Sequence, residues 1–483
     1  MNESQWKLRI SCPDSYRLER EYIISVLIGE GLGLNYSIHY DQIKETRIEL
    51  ENDSRGVMLT LADVLFQTSS SQWLSRETFP ILPLTKISPQ DCPIQLTESL
   101  PVLFGRPLPN GLHCIVHDAG IKLGLDVFGS AFFLLTRYEE FAYRGKLDQH
   151  SRFPAIASIA WQEDFLQRPL VDEYRELLWS CLHRLWSQLQ RKKRPFQLFL
   201  TFDLDHPLLV AGRGLPAVLR NTLGDVLFRR DLDLACRRLQ SYYAVHAGHL
   251  DLDVGNSFDF LLEALAEHHL QGAFFFFAGR HGLPSDVPYS LDHPWIRQLM
   301  GKLSRSGHQL GLHGSYSSFE QPNGIQREFN VLQAVAQEEN IQQATWGGRQ
   351  HYLRWDPART WRTWAEAGLD YDSTVAYSET PGFRCGTCAE FPVFDLVRRE
   401  PLPLRERPLI LMEASFFNGY RLDLEHLQEA IRELSSICHK YGGTFALLWH
   451  NDNLISRWER RCFKAILFDL ATLTEKPAVG TIG

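Results

Sequence analysis

Long apolar runs are missing from this 483-residue chain. No uninterrupted stretch approaches the length that a membrane-crossing helix needs, so no integral membrane segment is expected. The opening residues, MNESQWKLRISCPDSYRLERE, are polar and carry no apolar core of the kind a secretory leader has. A cytoplasmic location is therefore the expectation. Strong charge of one sign is missing too: 50 basic against 58 acidic residues leave a formal net charge of −8. The one short basic run, Arg191–Arg194, reads as a solvated helix end and linker, so nucleic acid is not an expected partner. Internal repeats and low-complexity tracts are also lacking. The 9 cysteines are odd in number and scattered, which argues for reduced thiols rather than a disulfide framework. Cys385 and Cys388 stand at metal or redox spacing, but no second pair accompanies them. Their surroundings, GFRCGTCAEF, read as a loop, and the pair reads as structural thiols.

What is present is enough apolar residue, 44%, to bury more than one core. Residues 1–195 are expected to form a mixed α+β domain, and residues 196–483 a second domain. In the first, Ile23–Gly33 reads as a helix and Val57–Phe66 as a strand. Asp126–Tyr143 reads as one buried helix, with Phe128, Phe132, Leu135 and Tyr138 at helical spacing. Val171–Gln190 reads as a long amphipathic helix.

After Pro195 strands and helices alternate. Strands are expected at Phe196–Asp205, Ala273–Ala278, Gln309–His313, Ala344–His351, Tyr371–Val375, Leu409–Glu413 and Thr444–His450. Helices are expected at Ser257–Leu270, His293–Ser306, Ile325–Glu339, Pro357–Ala367 and Leu424–Tyr441. A run of βα units implies parallel strands in an open sheet or a barrel.

The most informative stretch is LFLTFDLDH, Leu198–His206. Residues i and i+2 of a strand share a face, so Asp203 and Asp205 would leave its end side by side. Like charges that close repel, unless a cation sits on one of them. One carboxylate then serves as a metal ligand while its neighbour stays free as a base. An isolated D-x-D is more often a strand followed by a turn. Here, however, His313, Arg349, His351 and His450 stand at the ends of other expected strands, and α/β folds build sites at that edge.

TFDLDHP, SRSGHQLGLHGSYSS, GGRQHY and FALLWH, in this order, resemble the polysaccharide deacetylases of carbohydrate esterase family four. AFFFFAGRHG resembles that family's second strand. The resemblance covers about residues 196–455 and implies a distorted (β/α) barrel. It further implies a metal-dependent hydrolase that removes acetyl groups from an N-acetylated glycan or sugar precursor, with a divalent metal, usually zinc. The upstream segments FGSAFFLLTRYEEF, SRFPAIASIAW and RPLVDEY resemble an uncharacterised domain often found before such deacetylases.

Carried over residue by residue, Asp203 matches the base, Asp205 a metal ligand and His313 the first ligand histidine. A second histidine is expected four residues after His313, and Ser317 stands there, a poor zinc ligand. Three outcomes stay open, in this order: another imidazole replaces it, His351 before His206; Asp205 and His313 hold the metal with waters; or the site is metal-free. Arg349 matches the arginine that positions the base, and His351 stands where a proline is expected. His450 matches the general acid, and Leu448 the apolar residue that shapes an acetyl pocket. Asp372 aligns loosely with an orienting acid. Tyr316 and Tyr352 offer hydrogen bonds to an oxyanion, or pack as aromatics. Glu413 is read as a partner for a buried arginine, Arg349 or Arg354. His308 and His281 read as surface or core histidines. Asp251 and Asp253, in the loop with His246 and His249, read as stabilising the N-terminus of the next helix. Two other functions are carried beside the hydrolase: a catalytically inactive glycan-binding or scaffold module, and a metal-free amidohydrolase acting on another C–N bond.

Overall fold

The computed structural model describes residues 6–94, 96, 98–143, 145, 147–279, 289–418 and 421–475. His281 lies outside the described residues. The chain divides into two compact units, the first made of residues 1–194, 356–361 and 383–403, the second of the remainder.

In the first unit, alternation in KLRISCP buries Leu8, Ile10 and Cys12 on one face of the strand Lys7–Pro13. That strand pairs in parallel with Asn35–Asp41 and antiparallel with Thr46–Leu50. The sheet continues through Met58–Leu61, Gly120–Leu123 and Cys114–His117. Gly120 has φ +136, and a Cβ there would meet the Met58 backbone, so only glycine fits this crossing. Helices Arg17–Ile24, Val127–Leu135 and Leu170–Leu185 bury most of their residues. The expected Asp126–Tyr143 helix is broken: Arg137 takes φ 51, and a second short helix, Tyr138–Ala142, follows. The break turns the Arg137 guanidinium onto the Glu140 carboxylate at 2.8 Å. The strand expected over Val57–Phe66 is shorter, Met58–Leu61.

The second unit is built on parallel strands in the order Leu411–Met412, Thr444–Leu448, Gln197–Asp203, Gly272–Phe277, Gln309–Gly314, Gly347–Gln350, Tyr371–Asp372 and the end of Glu400–Glu406. The sheet is curled. Phe199 and Tyr371 stand four strands apart, which in a flat sheet is about 19 Å at the usual strand spacing. Their ring centroids are 5.7 Å apart, packed with Ala273 and Phe275. Close approach is made possible by small residues: a Cβ on Gly348 would collide with the Leu312 carbonyl. Helices Pro294–Arg305, Gly324–Glu338, Leu424–Lys440 and Arg457–Glu475 bury apolar faces. This is a mixed α/β unit with a half-barrel sheet.

Two helices, Leu215–Leu227 and Leu232–His246, follow the Asp203 strand and were not anticipated. The loop after them departs from expectation as well. Asp253 accepts from the backbone N–H groups of Leu209, Val210 and Ala211, and so ties the chain leaving that strand rather than capping the next helix. Asp251 accepts from the Trp295 indole N–H at 3.0 Å.

Candidate metal centre

Side chains on one face of the Asp203 strand recur at Thr201, Asp203 and, just past its end, Asp205. Arg349, fully buried on a strand three places away, reaches back across the curl. Its Nη1 donates to Thr201 Oγ1 at 3.0 Å and to Asp203 Oδ1 at 2.8 Å. Its Nε and Nη2 donate to the Ser373 carbonyl and hydroxyl at 2.8 and 3.0 Å. The guanidinium is thus held at both ends, and it fixes one oxygen of Asp203 while leaving Oδ2 outside the pair.

His313 lies beside both aspartates. Its Nε2 is 3.2 Å from Asp205 Oδ1 and 3.6 Å from Asp203 Oδ2. Its Nδ1 is 2.9 Å from the Arg349 carbonyl oxygen. A carbonyl only accepts, so Nδ1 carries the proton and a neutral ring presents the Nε2 lone pair to the carboxylates. Two acceptors 3.2 Å apart require positive charge, either a second proton on His313 or a cation. Burial disfavours the charged imidazole, but the Asp203 and Asp205 charges outweigh it and move the His313 pKa upward. Burial likewise opposes the Asp205 charge, yet the neighbouring His313 and His351 imidazoles hold that carboxyl well below the usual range.

His351 closes the group, with Nε2 3.5 Å from Asp205 Oδ2. Burial lowers its pKa, which keeps the ring neutral and able to donate a lone pair. One donor atom each from Asp205, His313 and His351 lies within 4.8 Å of the others. Asp205 Oδ1 and His313 Nε2 are buried and without hydrogen-bond partners. Two imidazoles and a carboxylate form a donor set suited to zinc and similar divalent ions, so these residues could hold such a metal. Ser317 is turned to Ser315, with the two hydroxyls 3.4 Å apart. The His313 loop is braced from behind. Glu328 accepts from the Ser315 N–H at 3.0 Å, and Gln350 Nε2 donates to the Ser315 carbonyl at 2.5 Å.

On the other flank of the Asp203 strand stands His450. Its Nε2 is 3.9 Å from Asp205 Oδ2. Glu413 Oε1 lies 2.8 Å from its Nδ1 and accepts from its backbone N–H at 2.9 Å and from Asn453 Nδ2 at 2.6 Å. Burial opposes protonation of His450, but the Glu413 charge dominates, with Asp205 and Asp203 adding to it, and the pKa lies well above the ordinary value. The expected arginine partner of Glu413 is replaced: Arg349 bonds Asp203, and Arg354 bonds Glu320 at 2.5 Å. A histidine on the neighbouring strand takes its place, because pairing of Leu411–Met412 with Leu447–Leu448 brings Glu413 to the foot of His450. Strand order of this kind leaves no local mark in a sequence.

Asp372 stands apart from these contacts. It is fully buried on the face opposite Tyr371, and its Oδ1 accepts from the N–H and hydroxyl of Thr374. Burial pushes its pKa up to about 7. Leu448 is buried and in register with Thr201. Tyr316 and Tyr352 meet edge to face at 5.4 Å, and the Tyr352 ring lies 4.4 Å from that of His351. Tyr352 and Leu353 both take positive φ, 59 and 54, which swings the chain sharply after His351 and leaves Tyr352 partly exposed. His206 is outside the group; its carbonyl accepts from Asn451 Nδ2 at 2.9 Å.

Residues 8–187 match the model of a family of unknown function, DUF7033. No curated protein matches the chain. Among solved structures, one described as "putative polysaccharide deacetylase from Mycobacterium smegmatis" is similar with 18% sequence identity and a TM-score of 0.35. The match covers 58% of this chain and 85% of that one. No described helix is long and apolar enough to cross a membrane.

Proposed function

We propose that this chain is a metal-dependent hydrolase that removes acetyl groups from an N-acetylated glycan or sugar precursor. One observation carries the reading: a carboxylate–imidazole–imidazole group, Asp205, His313 and His351, flanked by a second carboxylate and a further imidazole. A divalent ion held by those three residues would supply Lewis acidity toward a carbonyl and make water more acidic. Asp203 offers Oδ2 as the base that takes a proton from attacking water, with Arg349 holding Oδ1 so that the carboxylate cannot turn away. His450, charged through Glu413, donates from Nε2 to the departing amine nitrogen. Leu448 and the two tyrosines are proposed to shape the substrate side. The sugar class comes from the motif resemblance.

The test is acetate release from N-acetyl sugar oligomers, together with the metal content of the purified protein. Wild type is expected to release acetate and to lose that activity to a strong chelator. Asp203→Asn should reduce turnover by about 10²–10⁴-fold. Full activity in the variant would remove the proposed base. Sugar binding without turnover would favour the scaffold alternative, and activity that survives chelation the metal-free one.

A further inference from the structure

The helix Leu215–Leu227 is amphipathic the wrong way round. It buries Val218 and the carboxylate of Asp225, while Leu215, Leu219, Leu223 and Leu227 face solvent. Those leucines recur every fourth residue, so they form one stripe. Phe228 and Leu232 extend it into the turn before the next helix. Other exposed large apolar side chains of the described residues are scattered along the chain, which is ordinary. The helix is pinned along its inner side. Asp225 is bonded to Arg238 Nε at 2.6 Å and to Arg229 Nη1 at 2.8 Å. Val218 and Leu234 join Leu209, Val210, Val254 and Ile455 in a small core beneath the hairpin. The inner face is therefore already satisfied, and the leucines contribute nothing to it.

Charge around the stripe identifies what covers it. Arg213, Arg220 and Arg230 border it and have no carboxylate partner among the described residues, whereas Asp225 is sealed inside, and the two acids beside Leu232 are engaged, Asp231 as the cap of the next helix and Asp233 with Arg237 and Arg457. We propose that this hairpin docks on an anionic lipid surface, with its leucines in the headgroup region and its arginines on lipid phosphates. A helix with an outward apolar face and a basic border binds in this way. A second copy fits less well, because a two-fold contact would bring each arginine row against itself. The chain as a whole carries −8, so an anionic surface would repel most of it and select this patch. Docking here requires nothing of the chemistry at the candidate metal centre. The hairpin is nevertheless the next element after the strand that carries Asp203.

The experiment is co-sedimentation of the full chain with phosphatidylcholine vesicles, with and without phosphatidylglycerol. Wild type is expected to bind the anionic vesicles at least about tenfold better, and to be released as salt rises. Leu219→Glu with Leu223→Glu, and separately Arg220→Glu with Arg230→Glu, should each lower binding about tenfold or more. All four side chains are at the surface, so circular dichroism and the melting midpoint should not change. The wild-type salt titration stands even if one variant misfolds. The proposal fails if wild type ignores both vesicles, or if charge reversal at the arginines leaves binding intact. It also fails if sedimentation equilibrium shows a dimer that the leucine variant dissociates.

Discussion

A histidine on a neighbouring strand can face the same carboxylate as one on the strand beside it. His351 follows the Arg349 strand, next to the His313 strand, and it comes within 3.5 Å of Asp205. Ser317, four residues after His313, turns instead to Ser315. His351→Ala is therefore expected to weaken zinc binding by at least about a hundredfold, since losing even an outer-shell partner costs up to that much. Ser317→Ala should leave affinity within about twofold, because the hydroxyl is no ligand. Titration with a competing chelator measures both, and the reverse order would restore Ser317 as the third donor. At the other flank, the Glu413 carboxylate holds the His450 pKa up, so the imidazole stays protonated to higher pH. Glu413→Gln removes that charge. The alkaline limb of the rate profile should then move to lower pH, with kcat reduced about tenfold or more and KM little changed. A uniform loss at every pH would make Glu413 a structural residue only.

Strands and helices of the second unit were largely legible because their patterns are local. TFDLD, AFFFF and QLGLH are apolar runs that stop at polar residues, and the observed strands end within a few residues of expectation. The hairpin at 215–246 was missed although its first helix carries leucines at every fourth residue; what the spacing could not show is that these leucines point outward while Val218 and Asp225 are buried. The helix expected at Ile23–Gly33 is present, starting earlier at Arg17 and winding as π-helical turns over Ser25–Leu32. At the site, Asp203, Asp205 and His313 could be read from motif and strand end, whereas Glu413 depends on which strand lies beside which. The short strand Tyr371–Asp372 adds a consequence of its own. Its buried aspartate has a folded pKa of about 7 against an ordinary 3.8. A raised carboxyl pKa stabilises the fold below the unfolded value, and that contribution is lost as pH rises through about 7. Denaturation of wild type at about pH 5 and about pH 8 should show lower stability at the higher value. Asp372→Asn, which keeps the neutral shape, should flatten that slope; an unchanged slope would mean that other groups set it.

At the scale of the whole chain, the proposed ligands, base and acid all fall in one of the two compact units. Metal that binds only the folded form of that unit stabilises it by mass action. Calorimetry with increasing zinc should therefore raise the transition in which the second unit unfolds, and leave a separate transition of the first unit where it is. Under the proposed ligand set, binding would also displace the proton that Asp203 and Asp205 help His313 to keep, because an imidazole ligates as the neutral ring. Titration calorimetry in two buffers of different ionisation enthalpy should report proton release on the acid side of the His313 pKa. Affinity should fall as pH drops through that value, with no second fall from Asp205, which remains ionised well below the usual carboxylate range. In Asp205→Asn the zinc-dependent rise and the released proton should disappear together. A variant that kept both would place the ion elsewhere in the molecule and leave His313 and His351 as ordinary buried histidines.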